Sequence, residues 1–165
     1  MGAMSLNDIL VTQLARINVE GGDVLHAIKK SDIGFDGFGE AYFSWINNGS
    51  VKAWKCHTKM TMNIIVPFGK VRFVFFLEEA EEYRVEEIGN DRYIRLTIPP
   101  GIWFGFQGIS SGQSLVLNVA NIVHNQVQHF RLLQRVTRAT LSVPASLTFS
   151  FPSNKSSCLS SSTQL

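Results

Sequence analysis

KAWKCH at residues 52–57 and IPPGIWFGF at residues 98–106 are set into a stretch, from Val51 to Val119, made almost entirely of strand patterns. Asn63 to Val66 and Val71 to Leu77 flank Pro67-Phe68-Gly69-Lys70, where proline and glycine two residues apart demand a turn. Tyr83 to Ile88 and Tyr93 to Ile98 flank Gly89-Asn90-Asp91 and read as a further hairpin, and the acidic cluster Glu78, Glu79, Glu81 and Glu82 reads as an exposed connection. Upstream, Glu40 to Ile46 alternates Tyr42, Ser44 and Ile46 with Ala41, Phe43 and Trp45. Asn47-Asn48-Gly49 then reads as a hairpin turn, because Asn and Gly accept the positive φ of tight turns. Downstream, Trp103 to Ile109 and Leu115 to Ile122 are separated by Ser110-Ser111-Gly112. About eight or nine short strands with turn signals every ~8–12 residues predict an all-β sandwich or jelly-roll barrel. KAWKCH and IPPGIWFGF would then put basic and aromatic side chains at the barrel mouth. No long amphipathic helix separates the strands, which excludes a parallel α/β fold. One short helix is expected at Asp23 to Lys30 (DVLHAIKK), with Asp23 as N-cap and apolar residues at helical spacing.

The chain has 165 residues, 45% hydrophobic and 17% charged, enough apolar material for one core. The expected organisation is an extension over 1–8, a barrel over 9–124 with Ile9 to Ile17 as first strand or arm, and an atypical, partly disordered tail over 125–165. No apolar run approaches the roughly 20 residues that cross a bilayer, so no membrane partner is expected. The start lacks a secretion signal, and Cys56 and Cys158 sit in unrelated contexts. A cytoplasmic protein without disulfides follows as the expectation. All thirteen acidic residues lie at or before Asp91, and the net charge of +2 comes from Arg131, Arg135, Arg138 and Lys155 in the tail. Four cations over forty residues, with little aromatic interleaving, do not make a nucleic-acid footprint.

At KAWKCH, the PFGK turn and IPPGIWFGF, the chain resembles the cupin-fold family of dTDP-4-dehydrorhamnose 3,5-epimerases and dTDP-sugar 3,4-ketoisomerases, over about residues 9–124. The resemblance implies a cupin jelly-roll barrel, a nucleotide-sugar (dTDP-like) ligand and a homodimer whose N-terminal strand crosses to the partner. Position by position, Lys52 falls on a substrate-binding Arg of the family and Lys55 on the general-base His of the epimerases. His57 falls on the second histidine of the ketoisomerase His-x-His. Phe104 replaces the His of the Pro-Gly-aromatic strand, and Asn118 falls near the catalytic Tyr of the epimerases. The epimerase Asp that orients the base has no counterpart, because no acidic residue follows Asp91. The family's polar, acidic ending is also missing, so residues from about Val127 onward read as a frame-shifted or foreign tail.

Epimerisation beside a ketone needs a base for the acidic C–H, a donor for the enolate oxygen and an acid on the other face; a ketoisomerase needs the first two. Imidazole titrates near neutral pH, and His57, on the same strand face as Lys55 two residues away, is the first choice for the base. Lys55 serves as a base only if burial lowers its pKa; protonated, it holds a phosphate or sugar oxygen instead. Glu40 is a candidate for substrate hydroxyls or the nucleobase, against a salt bridge in the barrel wall. Lys70 and Arg72 suit a diphosphate, or merely a solvated hairpin end. Tyr42, Trp45, Trp54, Trp103 and Phe106 include candidates for base stacking, of which Tyr42 and Trp103 are retained, though strand aromatics usually pack the core. His26 and His124 read as peripheral, and His129 falls in the tail. Lys55 and Phe104 occupy places where many cupins have metal-binding histidines, so no metal and no other cofactor is expected.

The leading reading is therefore a nucleotide-sugar epimerase or isomerase acting on an NDP-4-keto-6-deoxy sugar in surface-polysaccharide synthesis. The alternative is a catalytically silent sugar-nucleotide-binding cupin that kept the pocket and lost the dyad.

Overall fold

The computed structural model describes residues 4–124. The expected tail over 125–165, including His129, lies outside them. The order of elements is a 3-10 turn at Leu6–Asp8, then β1 (Leu10–Gln13), β2 (Arg16–Ile17), β3 (Val24–Leu25), β4 (Glu40–Ile46), β5 (Val51–Lys55) and β6 (Met62–Phe68). β7 (Lys70–Leu77), β8 (Glu82–Gly89), β9 (Ile94–Ile98), β10 (Trp103–Gly108) and β11 (Ser114–Ala120) follow. Nine of these strands form two antiparallel sheets, ordered β1-β9-β6-β11-β4 and β5-β10-β7-β8, while β2 and β3 pair apart from them. This is the all-β jelly-roll the turn spacing predicts.

The period-two alternation of the strands decides what lies between the sheets. Met62, Ile64 and Val66 of β6, Val71, Phe73, Phe75 and Leu77 of β7, Leu96 and Ile98 of β9, and Phe104 and Phe106 of β10 meet in one buried cluster. Each such side chain taken fully from water contributes about 1.5–3 kcal/mol before entropy is counted. The 3-10 turn closes one side of it, where Arg84 Nη1 donates to the carbonyls of Leu6 (2.8 Å) and Ile9 (3.2 Å). A smaller cluster on the outer face of the five-stranded sheet packs Ile65 and Tyr93 against Leu14, Leu25 and Ala27.

Four local expectations need correction. Residues 23–30 form no helix: Val24 and Leu25 pair with Ile17 and Arg16. The carbonyls a helix would use are taken by distant donors, His26 O by Tyr93 Oη (3.0 Å) and Ala27 O by Arg95 Nη1 (3.1 Å). Arg95 is fully buried, and its bonds to Asp32 (2.8 Å) and Ile33 O (2.8 Å) tie the same segment down, so tertiary partners override helical spacing. The turns at 47–49, 67–70 and 89–91 are not hairpins either. Each carries the chain from one sheet to the other, β4 to β5, β6 to β7 and β8 to β9. The turn chemistry is as expected, with Gly49 at φ +71° and Ser50 N–H donating to Asn47 O (3.1 Å), but in a jelly roll a turn can change layers. The sequential hairpin forms instead at the acidic cluster, where β7 and β8 pair from Lys70↔Gly89 to Leu77↔Glu82.

Candidate active site

β4 and β5 are edge strands of opposite sheets joined by the 47–50 turn, so one flank of the sandwich is lined by both. β5 carries the lysines. It pairs with β10, Lys55 opposite Phe104 and Lys52 opposite Phe106, with a register shift between them that fits three steps on one strand to two on the other. Paired residues share a sheet face, and Phe104 and Phe106 are core residues, so both lysines lie on the inward side. Lys52 Nζ donates to Trp45 O of β4 at 2.9 Å and bridges the two sheets. Lys55 is partly buried. Burial holds its ammonium below the usual lysine range, and the neighbouring Lys52 charge pushes the same way.

Just past β5, His57 is 4% exposed. Gly101 N–H donates to its carbonyl at 2.7 Å, pinning this loop to the Pro-Pro-Gly stretch that leads into β10. Its ring lies 6.4 Å from that of Phe104 at 31°, and 5.8 Å from that of His124 edge-on at 79°. Cys56 lies between the two basic residues. Burial above all raises its thiol pKa, which leaves it a poor nucleophile.

The opposite wall is built by β11 and β4. Asn118 pairs with Tyr42, and Ala120 with Glu40. Val116 and Ala120 belong to the core, so Asn118, Tyr42 and Glu40 share the inward face. Asn118, 4% exposed, donates from Nδ2 to Tyr42 Oη at 3.0 Å, and Tyr42 remains 41% exposed. The contact between His57 and His124 joins the loop after β5 to the segment that follows β11. Lys55, His57, Phe104, Asn118, Tyr42 and Glu40 thus belong to one end of the sandwich, on its inner faces.

Two of the expected residues fall elsewhere. On β7 the odd positions face the core, so Arg72 faces outward. It is engaged by Glu87 through Nε (2.8 Å) and Nη2 (2.7 Å), with Lys70 3.6 Å from the same carboxylate. Those cations, with a hydrogen bond from Arg72 as the main cause, hold Glu87 below the usual carboxylate range. Trp103 alternates with core-facing Phe104 and pairs with Phe76, whose ring stacks on Tyr83 at 4.7 Å, so it belongs to an outer aromatic row. Conversely, His124, read from sequence as peripheral, touches His57. The signal available was its place four residues beyond the strand that carries Asn118, at the end where the mouth was expected. Among the described residues no three His, Cys, Asp or Glu side chains gather closely enough to hold a metal ion, and no helix is long and apolar enough to cross a membrane.

A buried imidazole, a lysine with a depressed pKa and a tyrosine held by a buried amide can together remove a proton, stabilise an oxyanion and donate a hydrogen bond. No protein-family model matches the chain, and no curated protein matches it. Among solved structures, a dTDP sugar isomerase from Desulfovibrio desulfuricans G20 is 33% identical, with 78% of this chain and 86% of that one covered and a TM-score of 0.73. QdtA, a sugar 3,4-ketoisomerase from Thermoanaerobacterium thermosaccharolyticum solved in complex with TDP, is 18% identical over 78% of this chain and 91% of its own, with a TM-score of 0.67. The 3,5-epimerase RmlC from Legionella pneumophila Philadelphia 1, solved with dTDP-4-keto-L-rhamnose, is 12% identical over 82% and 78% of the two chains, with a TM-score of 0.70. At those lower identities the last two speak for the fold alone.

Proposed function

The chain belongs to the cupin-fold family of dTDP-sugar epimerases and ketoisomerases, and from that premise we propose that it isomerises a dTDP-like NDP-4-keto-6-deoxy sugar. The observation that carries the reading is His57, buried beside Phe104 with Lys55 on the same inward face. His57 acts as the base, taking the acidic C–H proton next to the ketone. Lys55 holds the enolate oxygen, and Tyr42, oriented by Asn118, donates to it or returns the proton from the other wall. Glu40 at this end, and Lys52 farther along the flank toward the 47–50 turn, bind sugar or nucleotide oxygens. Arg72 and Trp103, on the outer face, have no part in this chemistry.

The reading needs no cofactor, because the ketone itself acidifies the proton that moves. It places the reaction in the cytoplasm, within surface-polysaccharide synthesis, and the working unit is a homodimer. Support for the dimer comes from Phe43 (64% exposed), Trp45 (53%) and Phe68 (55%) on the outer face of the five-stranded sheet, where Trp45 meets Phe68 edge-on at 6.4 Å.

Incubation with TDP-4-keto-6-deoxyglucose in deuterated water tests the chemistry. The wild type incorporates deuterium beside the ketone, and His57→Ala loses about 10²–10⁴-fold of that rate while still binding TDP. Binding of the substrate by the wild type without any incorporation contradicts the proposal.

A further inference from the structure

The last strand delivers its own end to the buried imidazole. Asn121 N–H donates to Thr61 O (3.2 Å), and Thr61 N–H donates back to Asn121 Oδ1 (2.9 Å). Asn121 Nδ2 also reaches Asp36 Oδ2 (2.8 Å), which Thr61 Oγ1 approaches from the other side (3.3 Å). Gly39 N–H donates to Ala120 O (2.8 Å), and Gly39 lies so near the backbone of Ile122 and Val123 that a Cβ there would overlap it. Ile122 packs on the core. The chain is clamped from residue 120 to residue 123, and the next side chain, His124, lies partly buried with its ring edge-on to that of His57.

We infer that His124 is a positioning residue for His57, fixing which ring nitrogen of the base carries a proton and which faces the sugar. The inference rests on the reading of His57 as the base. A neutral imidazole accepts a proton only through the nitrogen that lacks one, so a base in the wrong tautomer is inert however well it is placed. Phe104 beside His57 supplies a wall but no polarity, and it cannot tell the two nitrogens apart. The His124 ring, edge-on at 5.8 Å, carries two nitrogens where Phe104 has none, so its dipole favours one His57 tautomer over the other. His124 thus acts through His57 rather than on the substrate. It sets the rate of proton transfer and leaves nucleotide binding alone.

The test compares His124→Phe, which keeps a planar ring and removes both nitrogens, with His124→Gln, which keeps a donor and an acceptor. His124→Phe is expected to bind TDP within about twofold of wild type and to leave KM near its wild-type value. Its kcat for deuterium incorporation into TDP-4-keto-6-deoxyglucose should fall at least about tenfold, with His124→Gln recovering a substantial part. A wild-type rate in His124→Phe overturns the inference, as does a rate in His124→Gln no better than in His124→Phe. A second readout needs no turnover: the nitrogen-15 shifts of the His57 ring report one dominant tautomer in wild type and a different balance in His124→Phe. Unchanged shifts overturn the inference. If wild type itself exchanges nothing yet binds TDP, the proposed function fails, and the shifts still decide the role of His124.

Discussion

Lys55 shows most plainly how burial prepares a group for chemistry. Its ammonium is disfavoured by lost solvation and by Lys52, so its pKa lies below the ordinary 10.5. Between that depressed value and 10.5 the folded state holds less proton than the unfolded chain, so stability should rise with pH across the window and level off above it. Replacing Lys55 with Met removes this dependence. Urea midpoints measured from pH 7 to 11 should be higher for Lys55→Met at pH 7 and flatter with pH than for wild type; parallel curves would contradict the burial argument. The variant should also lose deuterium exchange, since the enolate oxygen has lost its donor. Lys55 and His57 stood out in the sequence because KAWKCH sets them two apart, although the strand ends at Lys55 and His57 lies just past it. The outward face of Arg72 was not legible, because VRFVFFL is apolar on both faces and a shift of one residue moves every side chain to the other side of a sheet. Only the neighbouring strands settle which of Arg72 and Phe73 faces in.

The end of β11 makes the corresponding argument for an element. Its course depends on Gly39, where the backbone of Ile122 and Val123 leaves no room for a side chain. Gly39→Ala should cost about 1–3 kcal/mol of stability through forced displacement, read as a lowered urea midpoint. It should also slow deuterium exchange, because the segment that must move carries His124. Unchanged stability would show that the contact is slack. Strand existence was legible nearly throughout, since alternation and turn residues are local properties. Pairing was less so. The turns at Asn47, Gly69 and Gly89 were read as hairpins because turn chemistry specifies a reversal but not the layer to which the next strand goes. DVLHAIKK was read as a helix because the competing donors, Tyr93 Oη and Arg95, come from more than sixty residues away.

Taken together, the two sheets enclose a core packed with phenylalanines, and their β4–β5 flank carries Lys52, Lys55, Tyr42 and Glu40. The outer aromatic patch of Phe43, Trp45 and Phe68 predicts self-association. Wild type should sediment as a dimer and Trp45→Glu should shift it toward monomer at micromolar concentration, whereas an unaltered distribution would place the interface elsewhere. The family was legible from the order of motifs, because those motifs lie where strands end at the mouth. The position of His124 beside His57 was not, because it comes from packing after the last strand and from no motif. The central claim is that substrate sits on the inner faces at the His57 end. Titrating labelled protein with TDP-4-keto-6-deoxyglucose and following its resonances tests this most directly. The account predicts saturable shifts at Lys55, His57, Tyr42 and Asn118 with Arg72 and Trp103 unmoved, and it would be contradicted by shifts confined to Arg72, Trp103 and the outer face.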